Sequence, residues 1–203
     1  MKSRLALVTI LVSLFALPSF AQSNEFGISY AASRIHKTDD ADGRVKFDNG
    51  SGYGLSFNHY WTDHIATQLA YTRTSGDGTI AVSGTPVLDI GTLRLKIVTL
   101  AGQWHFLRKQ MLDPYLGLGY SLIGASELAS ADLALAGTNH IHLRDDSGVV
   151  YNAGVNVNIA PHWGAAIDAK HLRYSPDATS GSKSVGRLKL SPTIFTAGVR
   201  LRF

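Results

Sequence analysis

Phe195-Thr196-Ala197-Gly198-Val199-Arg200-Leu201-Arg202-Phe203 closes the chain. Taken in steps of two from the end, Phe203, Leu201, Val199, Ala197 and Phe195 are apolar. The residues between them, Arg202, Arg200, Gly198 and Thr196, are charged, small or polar. Such period-two alternation marks a strand whose two faces meet different environments. Chain ends usually fray in water. An aromatic terminus inside a strand pattern predicts instead a last strand that is held.

The same alternation recurs in seven earlier stretches: Phe26–Ala32, Tyr53–Phe57, Ile65–Tyr71, Val98–Phe106, Leu116–Leu122, Val149–Ile159 and Trp163–Ala169. With the closing stretch they make eight. Their connections alternate in length. Trp61–His64, Leu107–Asp113 and Ala160–His162 are short, whereas the stretches near 35–51, 75–92, 125–147 and 175–187 are long and rich in Gly, Ser, Asp and Thr. Short turns at one end, long loops at the other and an even strand count describe an outer-membrane barrel.

Polarity separates this reading from a soluble barrel, which alternates as well. The large residues share one face, and the other holds Gly, Ala, Ser, Thr, Asn and Gln with few charges, mainly Asp168, Lys170, Arg200 and Arg202. A lipid-facing exterior around a wet lumen gives that distribution. The aromatics agree. Trp61, Trp104, Trp163 and Tyr115 lie beside short turns, with Phe106 near them, and Tyr30, Tyr53, Tyr71, Tyr120 and Tyr151 lie toward the long-loop ends. Two girdles at opposite strand ends are what two membrane interfaces select. The predicted fold is therefore all-β, an eight-stranded antiparallel transmembrane β-barrel over residues 22–203, with short periplasmic turns and long extracellular loops.

Residues 1–21 are set apart from that domain. Lys2 and Arg4 precede an apolar run from Leu5 to Leu17, and Ser19 and Ala21 supply the small residues before a cleavage point. This is the pattern of a secretory signal peptide, its apolar run short of the ~20 residues a spanning helix needs. The formal charge of +4 falls to +2 once Lys2 and Arg4 leave, and no basic cluster is dense enough to predict nucleic-acid binding. There is no cysteine, so stability is expected without disulfides.

Several segments resemble OmpW-type outer-membrane proteins. His142-Leu-Arg-Asp-Asp-Ser-Gly-Val-Val-Tyr-Asn-Ala-Gly-Val-Asn, Pro161-His162-Trp163 and Ile167-Asp168-Ala169-Lys170 resemble their sixth and seventh strands. Asp113-Pro114-Tyr115-Leu-Gly-Leu-Gly-Tyr resembles their fifth, and Ser191-Pro192 followed by Gly198-Val-Arg-Leu-Arg-Phe203 resembles their ending. The resemblance covers nearly all of the mature chain. It departs in strand four, where Lys96-Ile97-Val98 stands for a Leu-Pro-Pro, and at Ser191, where Asp is usual.

The resemblance implies an outer-membrane channel for small, often hydrophobic molecules, with lateral release into the bilayer. It implies a Gram-negative outer membrane as the location, with membrane lipid and lipopolysaccharide as surroundings. It implies also that Phe203 is the signal read by the barrel assembly machinery. A monomer without cofactor is expected. Candidate residues for a hydrophobic vestibule are Ile80, Val82, Val87, Leu88 and Ile90 in one loop and Leu128, Leu133 and Leu135 in another, with packing of the loops on themselves as the alternative. Asp168, Lys170, Arg200 and Arg202 are the lumen charges, either an ion-pair plug or a selectivity element, and both readings place Asp168 near a cation. Inner-face glycines, among them Gly52, Gly54, Gly117, Gly119, Gly154, Gly164 and Gly198, are expected to leave volume inside.

Two rival functions are weaker. A lipid A-modifying enzyme needs a nucleophile beside a base; the pattern allows a pair of His105 and Ser121, but His105 lies at the periplasmic end while lipid A occupies the outer leaflet. A structural or receptor barrel without transport is the other. His140 and His142 with Asp145 and Asp146 carry metal-ligand chemistry, but in a polar loop, so no metal site is expected.

Overall fold

The computed structural model describes residues 24–35, 38–40, 43–81, 88–125, 142–143, 146–173, 177–180, 183–187 and 191–203. In chain order the strands are β1 (Asn24–Ile35), β2 (Thr38–Asp40), β3 (Gly43–Phe47), β4 (Gly50–Tyr60), β5 (Ile65–Ala81), β6 (Leu88–His105) and β7 (Leu112–Ala125). They continue with β8 (His142–Leu143), β9 (Asp146–Asn158), β10 (Trp163–Leu172), β11 (Asp177–Ser180), β12 (Lys183–Arg187) and β13 (Pro192–Arg202).

Eight of these, β1, β4, β5, β6, β7, β9, β10 and β13, form a closed antiparallel ring. The expected barrel is the observed fold. In hydrocarbon an unpaired N–H or C=O costs several kcal/mol, so only a sheet without edges is tolerated. Closure is made by the stretch that opened the sequence. β13 pairs with β1 from Glu25↔Arg202 to Ile35↔Pro192. Asn24 and Phe203 then exchange two backbone hydrogen bonds of 2.8 and 2.9 Å at the end of the seam.

The outer face carries the large apolar side chains. Phe26, Ile28, Leu55, Leu100, Leu116, Leu118, Val155, Ile167, Phe195 and Val199 are all exposed on it. Trp61, Trp104 and Trp163 are exposed near the short turns, and Tyr30, Tyr53, Tyr120 and Tyr151 are exposed toward the other end, with Tyr71 half-buried. The His64 ring stacks on Trp104 at 5.4 Å, and Trp61 donates to Thr67 Oγ1 at 2.9 Å. These indoles thus lean on polar neighbours at the edge of the apolar belt.

The short turns are built tightly. Thr62 Oγ1 accepts from the N–H groups of His64 and Ile65 at 3.1 and 2.9 Å. Lys109 donates to Asp63 at 2.6 Å, tying this turn to its neighbour and holding the carboxyl below its ordinary pKa. Both groups face water, so that tie is weak.

Three expectations are corrected. Tyr115 does not join the girdle; it is 4% exposed and turned inward, because it shares strand parity with Gly117 and Gly119. The inner-face glycines leave less volume than expected: Gly54 and Gly198 border a small cavity, but other positions are filled. A Cβ on Gly154 would sit 2.5 Å from Tyr115 Oη, and one on Gly164 would sit 2.9 Å from Arg200 Nη2. These positions lack side chains because a larger neighbour lies across them.

Lastly, much of the 75–92 stretch is strand rather than loop. β5 and β6 pair as far as Ile80↔Leu88, with a bulge at Gly78/Thr79 and Gly91 at φ 93°. Gly, Asp and Ser there mark a bulged ladder that has left the lipid. The 18 residues of β6 span roughly 60 Å at ~3.3 Å each, about twice the ~30 Å hydrocarbon layer. The wall is uneven, since β10 has only 10 residues.

Candidate functional site

The lining of the lumen changes character partway along β6. In its lower part Thr99, Ala101, Gln103 and His105 are buried inward, while Val98, Leu100 and Trp104 face out. In its upper part the polarity is reversed: Leu93, Leu95 and Ile97 are buried inward and Arg94 and Lys96 are exposed outward. Around the ring, Ile123 lies opposite Ile97, Leu172 opposite Val150, and Ile194 opposite Lys170. None of these seven aliphatic residues is more than 2% exposed. On the β6–β7 and β9–β10 side the upper storey is apolar, while Thr72 and Thr74, buried opposite Ile97 and Leu95, and Lys170, buried opposite Ile194, keep polar groups at the same level. The reason for the apolar side is solvent. Within the bilayer the exterior must be apolar and the lumen can be wet; above it the exterior is water and the interior is a core.

The lower storey is a polar floor built on three buried carboxylates. Glu25 on β1 accepts from Arg200 Nη1, from Arg202 Nε and Nη2 at 2.9 and 2.7 Å, and from Tyr60 Oη at 3.0 Å. Asn158 Oδ1 receives the other faces of both guanidiniums, at 3.0 and 2.9 Å. Asp168 on β10 is ion-paired with Lys170 and accepts from Tyr115 Oη at 2.8 Å and Asn152 Nδ2 at 3.3 Å. Asp113 on β7 accepts from His105 Nδ1 at 2.7 Å and Asn156 Nδ2 at 3.3 Å. The His105 ring is sandwiched between Tyr60 and Tyr115, at 4.9 and 5.0 Å. Arg108, in the turn below, lies 3.7 Å over the Tyr60 ring, and burial lowers its pKa from the usual guanidinium value.

Within the polar storey lies a cavity of about 40 Å³, lined by Gly54, Asn58, Gln68, Gly198, Asp168 and Lys170 among others. That is space for very few waters and for no drug-sized molecule. Asn58 Oδ1 and Gln68 Oε1 are buried without a protein donor, which makes the walls water-loving. An apolar solute crossing here would have to part the buried ion pairs, and separating one partner of such a pair costs about 3–5 kcal/mol. The floor therefore resists axial passage.

The four lumen charges are all inside, and they divide into two clusters. Lys170 serves Asp168, whereas Arg200 and Arg202 serve Glu25. Glu25, Tyr60, Asp113, Asn156 and Asn158 are floor residues beyond the lumen charges expected from the sequence, and His105, the candidate base, belongs to the floor as well. His105 and Ser121 are not brought together. His105 Nε2 faces Gln103 Oε1 at 3.4 Å, and Ser121 Oγ pairs with Thr99 at 2.8 Å. Ser121 stands six residues along β7 from Tyr115, which lies opposite His105, or roughly 20 Å away.

Of the vestibule residues, Ile80, Leu88 and Ile90 have strand backbones with side chains outside the described residues. Val82, Val87, Leu128, Leu133 and Leu135 lie wholly outside them, as do His140 and Asp145. Among the described residues no three His, Cys, Asp or Glu side chains converge as metal ligands.

Gly154 offers a test of the floor. Gly154→Ala should push Tyr115 off Asp168 and lower the unfolding free energy by about 1–3 kcal/mol. Urea titration of the refolded barrel would measure this, and an unchanged midpoint would mean that the ring can move aside freely.

Comparison with known proteins agrees with the geometry. The fold is similar to that of outer membrane protein OprG from Pseudomonas aeruginosa, with a TM-score of 0.73 at 15% identity over 90% of this chain and 96% of that one. It is similar also to outer membrane protein AlkL, with a TM-score of 0.65 at 14% identity over 93% and 94% of the two chains. Escherichia coli outer membrane protein W gives 0.54 at 20% identity over 91% and 100%. A Rickettsia conorii protein named as an outer membrane protein is 24% identical over 171 residues, 76% of this chain. The chain spans 66% of that relative's length, a little under two thirds. The sequence model described as outer membrane protein beta-barrel domain matches residues 7–203. By that match over nearly its full length, the chain belongs to the outer membrane protein beta-barrel domain family.

Proposed function

We propose that this barrel is a passage for small hydrophobic molecules across the outer membrane, taken up into the apolar upper storey and released sideways into the bilayer. The observation that carries this is the reversal of lining along β6, where Leu93, Leu95 and Ile97 turn inward and, with Ile123, Val150 and Leu172 on neighbouring strands, make an apolar side above the paired charges. An apolar solute gains about 25 cal/mol per Å² on leaving water for such a lining, and below it meets ions that it cannot solvate. Exit above the floor is then the less costly route. The wall is lowest beside β10, where Leu172 and Ile194 sit close to the strand ends.

The barrel ladders are continuous through the bilayer-facing strands, so release belongs to the rim rather than to a gap between strands. In this reading the protein is exported with residues 1–21 removed, is assembled through its last strand by the barrel assembly machinery, and works as a monomer.

Uptake of a small hydrophobic compound by intact cells tests the proposal. Leu95→Asn with Leu172→Asn should slow uptake about thirtyfold, since each change removes roughly 1 kcal/mol of apolar contact. Leu88→Asp with Leu135→Asp should slow it as well if the loops form the mouth. Asp168→Asn, at equal levels of assembled barrel, should leave uptake unchanged. A path that depended on Asp168 would run through the floor and overturn lateral release.

A further inference from the structure

Just above the tyrosines, two cations face each other across the outer wall. Arg73 on β5 stands directly opposite Lys96 on β6, and Arg94 follows two residues along β6, opposite Ser75. All three are exposed on the outer face. Cβ atoms of directly opposed residues are about 5 Å apart, and like charges so placed destabilise a sheet. Among the described residues no carboxylate forms an ion pair with Arg73 or Lys96. The nearby outward acid, Asp77, accepts from Thr92 Oγ1 at 2.7 Å.

The height of this patch is set by its neighbours. Tyr53 lies directly opposite Arg73, and Tyr71 is one outward step below it, roughly 7 Å down the strand. Interfacial tyrosines mark the boundary of the hydrocarbon, so Arg73 and Lys96 stand at the level of the lipid headgroups. Below them the same face continues as Leu55, Val98, Leu100 and Leu122. Elsewhere on the ring Arg173 reaches over the Tyr151 ring at 5.9 Å, and Arg34 is exposed near the top of β1.

The geometry points to a docking site on the outer wall at β5–β6, where Arg73 and Lys96 hold the phosphate of a phosphorylated glycolipid in the outer leaflet. An anion between the two cations removes a repulsion that the fold otherwise carries. The patch sits above an apolar wall and beside the membrane, not at a loop tip. Its occupant therefore needs an anionic head above and acyl chains below. A phosphorylated lipid has both, and a soluble phosphate has only the first.

The test compares the full-length barrel, Arg73→Gln/Lys96→Gln and the charge-preserving Arg73→Lys/Lys96→Arg. Each is reconstituted in phosphatidylcholine vesicles with and without bisphosphorylated lipid A, and unfolding temperature and bound lipid A are measured. Lipid A should raise the unfolding temperature of the unaltered barrel and the charge-preserving variant. The glutamine variant should bind it about thirtyfold more weakly, two surface cations contributing roughly tenfold or less each. In phosphatidylcholine alone the glutamine variant should be at least as stable as the unaltered barrel, because its like-charge pair is gone. An equal lipid A response in the glutamine variant would overturn the proposal. So would loss of stability of that variant in phosphatidylcholine alone, which would make the pair structural. Inorganic phosphate reproducing the full lipid A response would also overturn it, in favour of a soluble anion.

Discussion

Glu25→Gln should lower the unfolding free energy of the refolded barrel by about 3–5 kcal/mol, read from urea titration in detergent or vesicles. The carboxylate is 1% exposed and is the shared partner of Arg200, Arg202 and Tyr60. Its neutral isostere leaves two guanidiniums side by side with Asn158 as their common acceptor. The size of the loss decides what kind of interaction this is. An exposed pair would give less than about 1 kcal/mol and would weaken further with salt; a dry pair is insensitive to salt. A second change, Arg200→Met, should recover part of the loss by removing one stranded charge, so the two effects will not add. A loss under 1 kcal/mol would show that water reaches the cluster and that the floor is not closed.

Replacing Phe203 by Asp should cut the amount of assembled barrel in cells by about tenfold, while Arg202→Gln should change it little. Phe203 is exposed on the outer face at the end of the seam, and its backbone groups, not its ring, bond Asn24. An acidic residue near a membrane interface costs only about 0–1 kcal/mol. Thermodynamics alone therefore predicts near-normal refolding of the Phe203→Asp protein in detergent. A loss in cells without a loss in detergent would place the ring's role in recognition during assembly. Deleting Phe203 removes the two backbone bonds as well and should impair both. Equal cellular levels for Phe203→Asp and Arg202→Gln would contradict a signalling role.

The ring of strands was legible because each membrane-crossing stretch alternates in two alphabets, large apolar against small or polar. Asp168 and Lys170 could be placed inside by parity alone, and they are inside. Glu25 was equally readable: it precedes Phe26 and shares parity with Gly27, but the pattern was begun one residue too late. Tyr115 was misplaced by nearness to a turn, although its parity with Gly117 points inward. The upper storey was harder. Leu93-Arg94-Leu95-Lys96-Ile97 alternates as strictly as any stretch, but with charges outward, and nothing local says that the surrounding medium has changed from lipid to water. Which inward residues pair with which depends on register between strands far apart in sequence, and no single-strand pattern carries that information.

The seam between β1 and β13 has a consequence for how the molecule is made. Glu25 and Arg202 are 177 positions apart, so their contact waits on the most distant association the chain makes, and each intermediate arc of strands has two raw edges. Such an arc has no stable place in hydrocarbon, and insertion is a single commitment rather than a strand-by-strand entry. The carboxylate then acts as a latch with a built-in alignment check. If β13 slid by one residue, Glu25 would lie opposite Leu201, a lipid-side neighbour, and the carboxylate and guanidiniums would fall on opposite faces. A ring one residue out of register would carry these charges unpaired, which makes the latch a proofreading step in assembly as well as a fastening.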